Sequence, residues 1–375
     1  DPMLQKPRQT VLISGYYGFG NCGDEAVLAG IIEQLTSLWP HADYIVLSGD
    51  PVRTAREHGV KAVHRHDIKG LLTVLRSSTV FVSGGGTLLQ DVTSSRSLYY
   101  YLFMILVARW YRLPVIIYGQ GIGPFRCRPN RRLALGVLRL AHLVIVRDRG
   151  AYSQLLAWGF DERKLHLGAD PVLALKPVTH TLDKDEFHNM LETGKPALFV
   201  SLRPWPQVSL NLSAVARALD YMCQKGWQVV FIPFQFEADY PVCQACAELM
   251  QESALVWSTP LVAKDMLAVF GEADYCLGMR LHALVFSAVH KIPMLGLAYD
   301  PKVSEFMREL RLEELVVALP DVRDEPLDPE DLIKCLELLE AERQRLVAQI
   351  GEKADKMAAR LVAATRLMGG EVAKH

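Results

Sequence analysis

A glycine, an arginine and a histidine occupy alternate positions in the run LGMRLHALVF, at residues 278, 280 and 282. The run ADYCLG before them predicts a strand, and LHALVFSAV after them predicts a helix. Helix N-termini and guanidinium groups attract phosphate or carboxylate, and an imidazole exchanges protons near neutral pH. We interpret Gly278, Arg280 and His282 as an anion-binding turn in which His282 is the candidate acid. A purely structural histidine is the alternative.

Further cations follow other predicted strands. Arg203 comes after ALFVSL, and Lys302 follows the last strand in AYDPKVSEF. Arg126 opens a cluster that places four positive charges within seven residues, with Arg128, Arg131 and Arg132. Such charges suit an anionic substrate or anionic lipid headgroups. Ordinary solvent-exposed arginines at a helix start are the alternative for at least half of them.

The stretch SGYYGFGNCGDEA contains the pattern G-x-G-x-x-G between a predicted strand and a predicted helix. That context is typical of a dinucleotide-binding turn. Asp24 and Glu25 follow the last glycine at once, where their carboxylates would repel a pyrophosphate. Asp24 is better interpreted as the N-cap or first-turn acid that satisfies the helix start itself. We therefore expect no NAD or FAD here, and either a plain tight turn or contact with a neutral, hydroxyl-rich ligand.

Glycines and amides follow other strands of the N-terminal half, notably in SGGGTLLQD and YGQGIGP. Glycines let a ligand approach the backbone, and amides bind hydroxyl groups. The candidates for contact with a hydroxyl-rich ligand are Gly18, Asn21, Asp24, Gly85, Gln90 and Gln120. Asp170, in GADPV, is a candidate catalytic base, and a turn-forming Asp-Pro is its alternative.

The composition is that of an ordinary globular protein, with 375 residues, 50% hydrophobic residues and a net charge of -1. This balance predicts no nucleic-acid partner.

Seven scattered cysteines favour reduced thiols in the cytoplasm, and the single C-x-x-C pair, Cys243 and Cys246, predicts no metal site. The apolar run at residues 98–108 is too short to span a membrane. We interpret it as a helix buried between sheet and solvent rather than a membrane contact.

Short apolar runs alternate with helical patterns along the chain. Strands are predicted at 11–14, 44–48, 61–64, 79–84, 114–119, 143–148, 197–203, 227–234, 254–257, 273–278 and 293–299. This alternation predicts an α/β fold of two doubly wound Rossmann-like domains facing a cleft. A polar, proline-containing segment near 175–195 predicts the junction. The expected domains are 1–177, 178–328 and a long helical region at 329–375.

Eight motifs in order resemble the polysaccharide pyruvyl transferase family. They are GFGNCGDEA, SGGGTLLQD, YGQGIGP, RDRGAY, ADPV, SLRPW, GMRLHALVFSA and YDPKV, and they extend from about residue 10 to residue 306. Within the family, the chain is most similar to the CsaB-type branch, which modifies the cell-wall polysaccharide that anchors bacterial surface-layer proteins.

The resemblance implies a GT-B-like fold and transfer from phosphoenolpyruvate, with neither a cofactor nor a metal. The acceptor would be N-acetylmannosamine on a lipid-linked glycan, bound by the N-terminal domain, and the product a 4,6-O-pyruvate ketal. The family's motif residues fall on Gly278, Arg280, His282 and Lys302. The protein would work in the cytoplasm, at the inner face of the membrane.

Chemistry alone is compatible with this assignment, because the carboxylate and phosphate of the donor need cations. Arg280, Lys302, Arg126 and Arg203 are the candidates for donor binding. Two other functions stay open at this point: a GT-B glycosyltransferase that uses a nucleotide sugar, and a glycan-binding module without catalysis.

Overall fold

A computed structural model describes residues 8–176, 181–320 and 325–375. The described chain forms two compact units. The first contains the residues up to Phe19, Val27–Leu175 and Met357–His375, and the second contains Gly20–Ala26 and Lys176–Lys356. The seven residues Gly20–Ala26 therefore belong to the second unit, although the chain on both sides of them belongs to the first.

The first unit holds a seven-stranded, all-parallel sheet with the order β3-β2-β1-β4-β5-β6-β7. Its strands are β1 (Thr10–Ser14), β2 (Asp43–Ser48), β3 (Lys61–His64), β4 (Val80–Gly84), β5 (Val115–Gln120), β6 (Leu143–Val146) and β7 (Leu165–Leu167). The helices are α1 (Cys22–Leu38), α2 (Pro51–His58), α3 (Ile68–Ser77), α4 (Ser95–Trp110), α5 (Arg128–Leu138) and α6 (Arg149–Ala157). Central strands such as β1 are continuous apolar runs because both faces of the sheet are covered.

The second unit holds a six-stranded parallel sheet with the order β10-β9-β8-β11-β12-β13. Its strands are β8 (Ala197–Ser201), β9 (Gln228–Phe231), β10 (Leu255–Val256), β11 (Tyr275–Gly278), β12 (Met294–Ala298) and β13 (Val316–Ala318). The helices are α7 (Leu182–Met190), α8 (Pro206–Gln224), α9 (Phe236–Leu249), α10 (Ala263–Val269), α11 (Leu281–Val289), α12 (Pro301–Glu309), α13 (Pro329–Ala341) and α14 (Arg343–Val372). The strand order reverses between β8 and β11, and ligands of such sheets bind at this reversal point.

The predicted α/β class is confirmed, and all eleven predicted strands are present with small differences in their bounds. The three-residue edge strands β7 and β13 were missed. The polar segment predicted as a junction contains helix α7, which Thr181 caps by accepting a hydrogen bond from the N–H of Lys184. The expected boundary at 177/178 lies outside the described residues. Helices α13 and α14 occupy the predicted C-terminal helical region, and Met357–His375 groups with the first unit.

A substitution of Gly85, directly after β4, tests how tightly the first unit is packed. The φ of Gly85 is +70°, and an added Cβ would lie 1.9 Å from Cγ1 of Val27. We expect Gly85→Ala to lower the free energy of unfolding by about 2–5 kcal/mol, through backbone strain and overpacking. Gly59 is the matched control, because its φ is +65° and nothing lies within 4 Å of an added Cβ. Gly59→Ala should cost only about 1 kcal/mol. Equal shifts of the two urea unfolding midpoints would contradict this account.

Candidate active site

The first turn of α1 is bound to loops of the second unit. The N–H of Cys22 donates to the carbonyl of Phe234 at 3.0 Å, and the Cys22 thiol donates to the carbonyl of Leu261 at 2.8 Å. Asn21 forms an isolated antiparallel bridge with Gln235. These contacts hold the end of the glycine-rich stretch at the carboxyl end of β9.

Asn21, not Asp24, caps helix α1. Its side-chain oxygen accepts from the N–H of Gly23 at 3.0 Å, and its carbonyl accepts from the N–H of Glu25. Asp24 and Glu25 lie in the first turn. The cap that a pyrophosphate would replace is therefore supplied by the protein, and the amide oxygen of Asn21, predicted to contact sugar, is engaged in that cap.

His282 packs directly against Gly23. A Cβ added to Gly23 would lie 2.3 Å from Nδ1 and 2.7 Å from Cγ of His282. The last glycine of the G-x-G-x-x-G pattern is therefore needed so that the imidazole can approach the helix start. His282 itself is half-buried in the first turn of α11.

Arg280 is engaged by a carboxylate that sequence reasoning missed. It precedes the first residue of α11, and its Nε donates to Oδ2 of Asp239 at 3.0 Å while its Nη2 donates to Oδ1. Asp239 is fully buried and Arg280 is 8% exposed. This buried bidentate pair compensates the charge of Arg280, so the predicted donor-binding cation has a protein partner.

Asp239 also organises the loop after β9. Its Oδ2 accepts from the backbone N–H groups of Phe234 and Gln235, at 3.1 and 3.0 Å. A signal for this residue was present, since FQFEAD follows the predicted strand WQVVFIPF and polar residues after parallel strands belong to the ligand-binding edge of the sheet.

Two other predicted cations, Arg203 and Lys302, lie on the same aromatic ring. Nη1 of Arg203 donates to the hydroxyl of Tyr299 at 2.7 Å, and its Cζ lies 4.9 Å from the ring centroid. Nζ of Lys302 lies 5.4 Å from that centroid. The Trp205 ring packs edge-on against Tyr299. Tyr299 thus brings together two cations that follow β8 and β12, the strands on either side of β11.

Among the described residues, neither of these cations has an acidic partner as close as that of Arg280. Nε of Arg203 is buried and makes no hydrogen bond to the described residues. Lys302 pairs with Asp300 only at 3.9 Å, and Asp300 already caps α12 by accepting from the backbone N–H of Lys302. The anion-binding capacity of this edge therefore lies with Arg203 and Lys302 more than with Arg280.

Asp24 lies within this field of charges. The protein around its carboxyl group removes water, and this desolvation raises the pKa of Asp24 to about 6. His282, Arg280 and Lys302 each lower it, whereas the neighbouring Glu25 raises it further. A carboxyl group with this pKa is ionised at neutral pH and can still take up a proton.

Gln90 and Gln120 are engaged inside the first unit. The Gln90 side-chain oxygen accepts from the N–H groups of Val92 and Thr93, so its amide holds its own loop. Gln120 is fully buried, and its amide donates to the Ser83 hydroxyl at 2.7 Å. Gln90 and Gln120, which were predicted to contact a sugar, therefore form hydrogen bonds within the protein instead.

The remaining predicted site residues also lie in the first unit. Asp170 is buried and caps the short turn Pro171–Ala174 by accepting from the N–H of Val172. Gly18 and Gly85 adopt positive φ after β1 and β4, at the reversal point of the first sheet. Arg126 is exposed, and its backbone N–H donates to Asp91. The structure thus gathers Gly278, Arg280, His282, Arg203, Lys302, Asn21 and Asp24 in one unit, and Asp170, Arg126, Gly18, Gly85, Gln90 and Gln120 in the other.

The two-unit α/β fold is of the GT-B-like class. UDP-GlcNAc 2-epimerase from Neisseria meningitidis bound to UDP-GlcNAc has a similar fold (TM-score 0.64, 12% identity, 98% of this chain and 100% of that one). HepE from Anabaena in complex with UDP-glucose also has a similar fold (TM-score 0.64, 12% identity, 98% of this chain and 100% of that one). The same holds for MnaA from S. aureus with UDP (TM-score 0.62, 12% identity, 93% of this chain and 94% of that one).

The family is shown by a second comparison. The family model "Polysaccharide pyruvyl transferase" matches residues 21–301, so the chain belongs to that family. A curated relative, the amylovoran biosynthesis protein AmsJ of Erwinia amylovora, is 19% identical over 84% of this chain and 89% of its own. In the described part of the chain, no helix is long and apolar enough to cross a membrane.

The raised pKa of Asp24 predicts a distinctive pH dependence of stability. The folded state holds the proton more tightly than the unfolded chain does, so this contribution is complete below about pH 4 and is lost as the pH rises through about 6. Relative to Asp24→Asn, wild type should lose about 2 kcal/mol between pH 4 and pH 7. Denaturant unfolding at both pH values measures this difference, and parallel pH profiles for the two proteins would contradict the raised pKa.

Proposed function

We propose that the protein transfers pyruvate from phosphoenolpyruvate to two hydroxyl groups of a sugar, forming a ketal. The observation that carries the proposal is the group at the reversal point of the second sheet. There, Arg203 and Lys302 flank Tyr299, and Lys302, His282 and Arg280 act electrostatically on Asp24. Two anion-binding cations, an imidazole and a carboxylate with a pKa near neutrality are what this reaction requires.

The donor carries a carboxylate and a phosphate. We assign these groups to Arg203, whose buried Nε has no partner among the described residues, to Lys302 and to the N-terminus of α11. Arg280 acts as a positioning residue, because Asp239 accepts from both Nε and Nη2 of its guanidinium group. No nucleotide cofactor and no metal take part in this scheme.

The chemistry balances with two proton-transferring groups. His282 gives a proton to the methylene carbon of phosphoenolpyruvate, and a sugar hydroxyl adds to C2 while Asp24 takes its proton. The bond between C2 and the phosphate oxygen then breaks and inorganic phosphate leaves. A second hydroxyl adds to the resulting cation and also releases its proton. Of the two hydroxyl protons, one restores His282 and the other leaves with phosphate, so Asp24 ends ionised. Asp170 is the other candidate base, but its carboxylate is buried in a turn cap.

We assign the acceptor to the first unit, with contacts from the glycine-rich turns at Gly18 and Gly85. The relative AmsJ is named for biosynthesis of amylovoran, which supports a saccharide acceptor. The CsaB-type motifs support N-acetylmannosamine on a lipid-linked cell-wall precursor as the acceptor, with a 4,6-O-pyruvate ketal as the product.

The direct test incubates the full chain with phosphoenolpyruvate and a lipid-linked disaccharide that ends in N-acetylmannosamine. We expect release of phosphate together with a product heavier than the acceptor by one pyruvate less one water. Phosphoenolpyruvate should also raise the thermal unfolding midpoint. Protection by UDP without protection by phosphoenolpyruvate, and no phosphate release, would instead indicate a nucleotide-sugar glycosyltransferase.

Gly23→Ala tests the contact between His282 and the start of α1. The new methyl group would overlap the imidazole, so we expect transfer to fall at least about a hundredfold, as for loss of a general acid. Gly136→Ala is the control, because Gly136 is also helical and nothing lies within 4 Å of an added Cβ. Gly136→Ala should keep full activity. Unchanged transfer in a folded Gly23→Ala variant would contradict the role of His282.

Arg203→Gln tests the donor assignment. Loss of a charge-assisted contact should raise KM for phosphoenolpyruvate by about tenfold or more, at 1.4 kcal/mol per tenfold. Arg217→Gln, at an exposed arginine of α8 in the same unit, should leave KM unchanged. If Arg203→Gln altered KM for the sugar and not for phosphoenolpyruvate, the assignment of donor and acceptor sides would be wrong.

A further inference from the structure

Helix α4 presents an exposed apolar stripe on the first unit. Tyr99, Phe103, Leu106 and Trp110 are spaced by four, three and four residues, which places them on one face. Phe103 is 55% exposed and Trp110 is 87% exposed, whereas the opposite face, with Leu98 and Ile105, is buried in the core. The helix lies between core and solvent, as interpreted from the sequence, and its solvent side is apolar.

The neighbouring helix α5 extends the same surface. The helices pack together, and the Tyr99 hydroxyl donates to the Asn130 side chain at 2.9 Å. Leu133 of α5 and Leu140, two residues after its end, are exposed, and so are Arg128 and Arg132. Exposed apolar and cationic side chains thus occur on both helices.

The segment that contains α4 and α5 carries only positive charge. From residue 92 to residue 147 there are nine arginines and neither aspartate nor glutamate, although the whole chain balances 41 basic against 42 acidic residues. Exposed Arg96 lies at the start of the α4 stripe, and exposed Arg112 follows its end. The stripe is therefore bracketed by cations with no acid nearby in the sequence.

We propose that this surface, formed by the outer faces of α4 and α5 and referred to here as the α4–α5 face, docks on an anionic lipid bilayer. Aromatic side chains favour the interfacial region of a membrane, and helices that lie on a membrane combine apolar residues with arginines. The arginines pair with anionic headgroups, while the stripe enters the boundary of the acyl chains. The inference is independent of the proposed transferase activity.

A second copy of the chain fits this face less well. A two-fold dimer places the same patch on both sides of the contact, and this face would then oppose arginines to arginines. A lipid surface supplies the negative charge that the segment lacks.

The test is co-sedimentation of the full chain with vesicles of phosphatidylcholine and phosphatidylglycerol, at about 3:1. We expect binding that weakens with added salt and is much reduced on pure phosphatidylcholine. Phe103→Ser/Trp110→Ser should reduce partitioning at least about tenfold, and Arg128→Gln/Arg132→Gln should do the same. Circular dichroism verifies that the variants are folded.

Matched controls lie on other helices of the first unit. Val52→Ser/Leu367→Ser removes two other exposed apolar residues, and Arg56→Gln/Arg366→Gln removes exposed arginines elsewhere. Both controls should bind vesicles like wild type. The proposal is overturned if wild type does not sediment with the anionic vesicles, or if the controls lose as much binding as the variants of the α4–α5 face. It is also overturned if light scattering without vesicles shows a dimer that Phe103→Ser/Trp110→Ser dissociates.

Discussion

The buried carboxylate of Asp239 is the constraint on which the candidate site depends. It accepts from Nε and Nη2 of Arg280 and from two backbone N–H groups after β9. The carbonyl of Phe234, in that same loop, accepts from Cys22. One side chain therefore fixes the start of α11, the loop after β9 and, through this loop, the first turn of α1. Removing one member of such a pair leaves an uncompensated buried charge, which typically costs about 3–5 kcal/mol.

This constraint also decides which charges remain for a ligand. Because Asp239 compensates Arg280, the positive potential at the reversal point comes mainly from Arg203 and Lys302, which share the Tyr299 ring. The neighbouring acid, Asp24, is desolvated, and its pKa is raised to about 6. The site thus combines cations that are less tightly paired than Arg280 with a carboxylate that ionises near neutral pH, an arrangement suited to an anionic donor and a hydroxyl acceptor.

Sequence patterns predicted what depends on local periodicity. Val11, Leu12 and Ile13 form an apolar run because they lie in a sheet covered on both faces, and apolar runs of this kind located the central strands. The turn at Gly278, Arg280 and His282 was found because helix starts and strand ends have local signals. The Arg280–Asp239 pair joins residues 41 positions apart, and no local pattern records such a partner. For the same reason, Gly23 was predicted to provide clearance for the turn or a sugar, whereas the structure places the His282 ring against it.

The central claim is that the second unit protonates phosphoenolpyruvate and passes its three-carbon unit to a sugar. The most direct test is to run the reaction in D₂O and measure the mass of the product by mass spectrometry. A proton from an exchangeable side chain would leave one deuterium in the methyl group of the ketal, and His282→Ala should abolish the product. A product without the three-carbon unit, or a labelled ketal formed equally well by His282→Ala, would contradict the account.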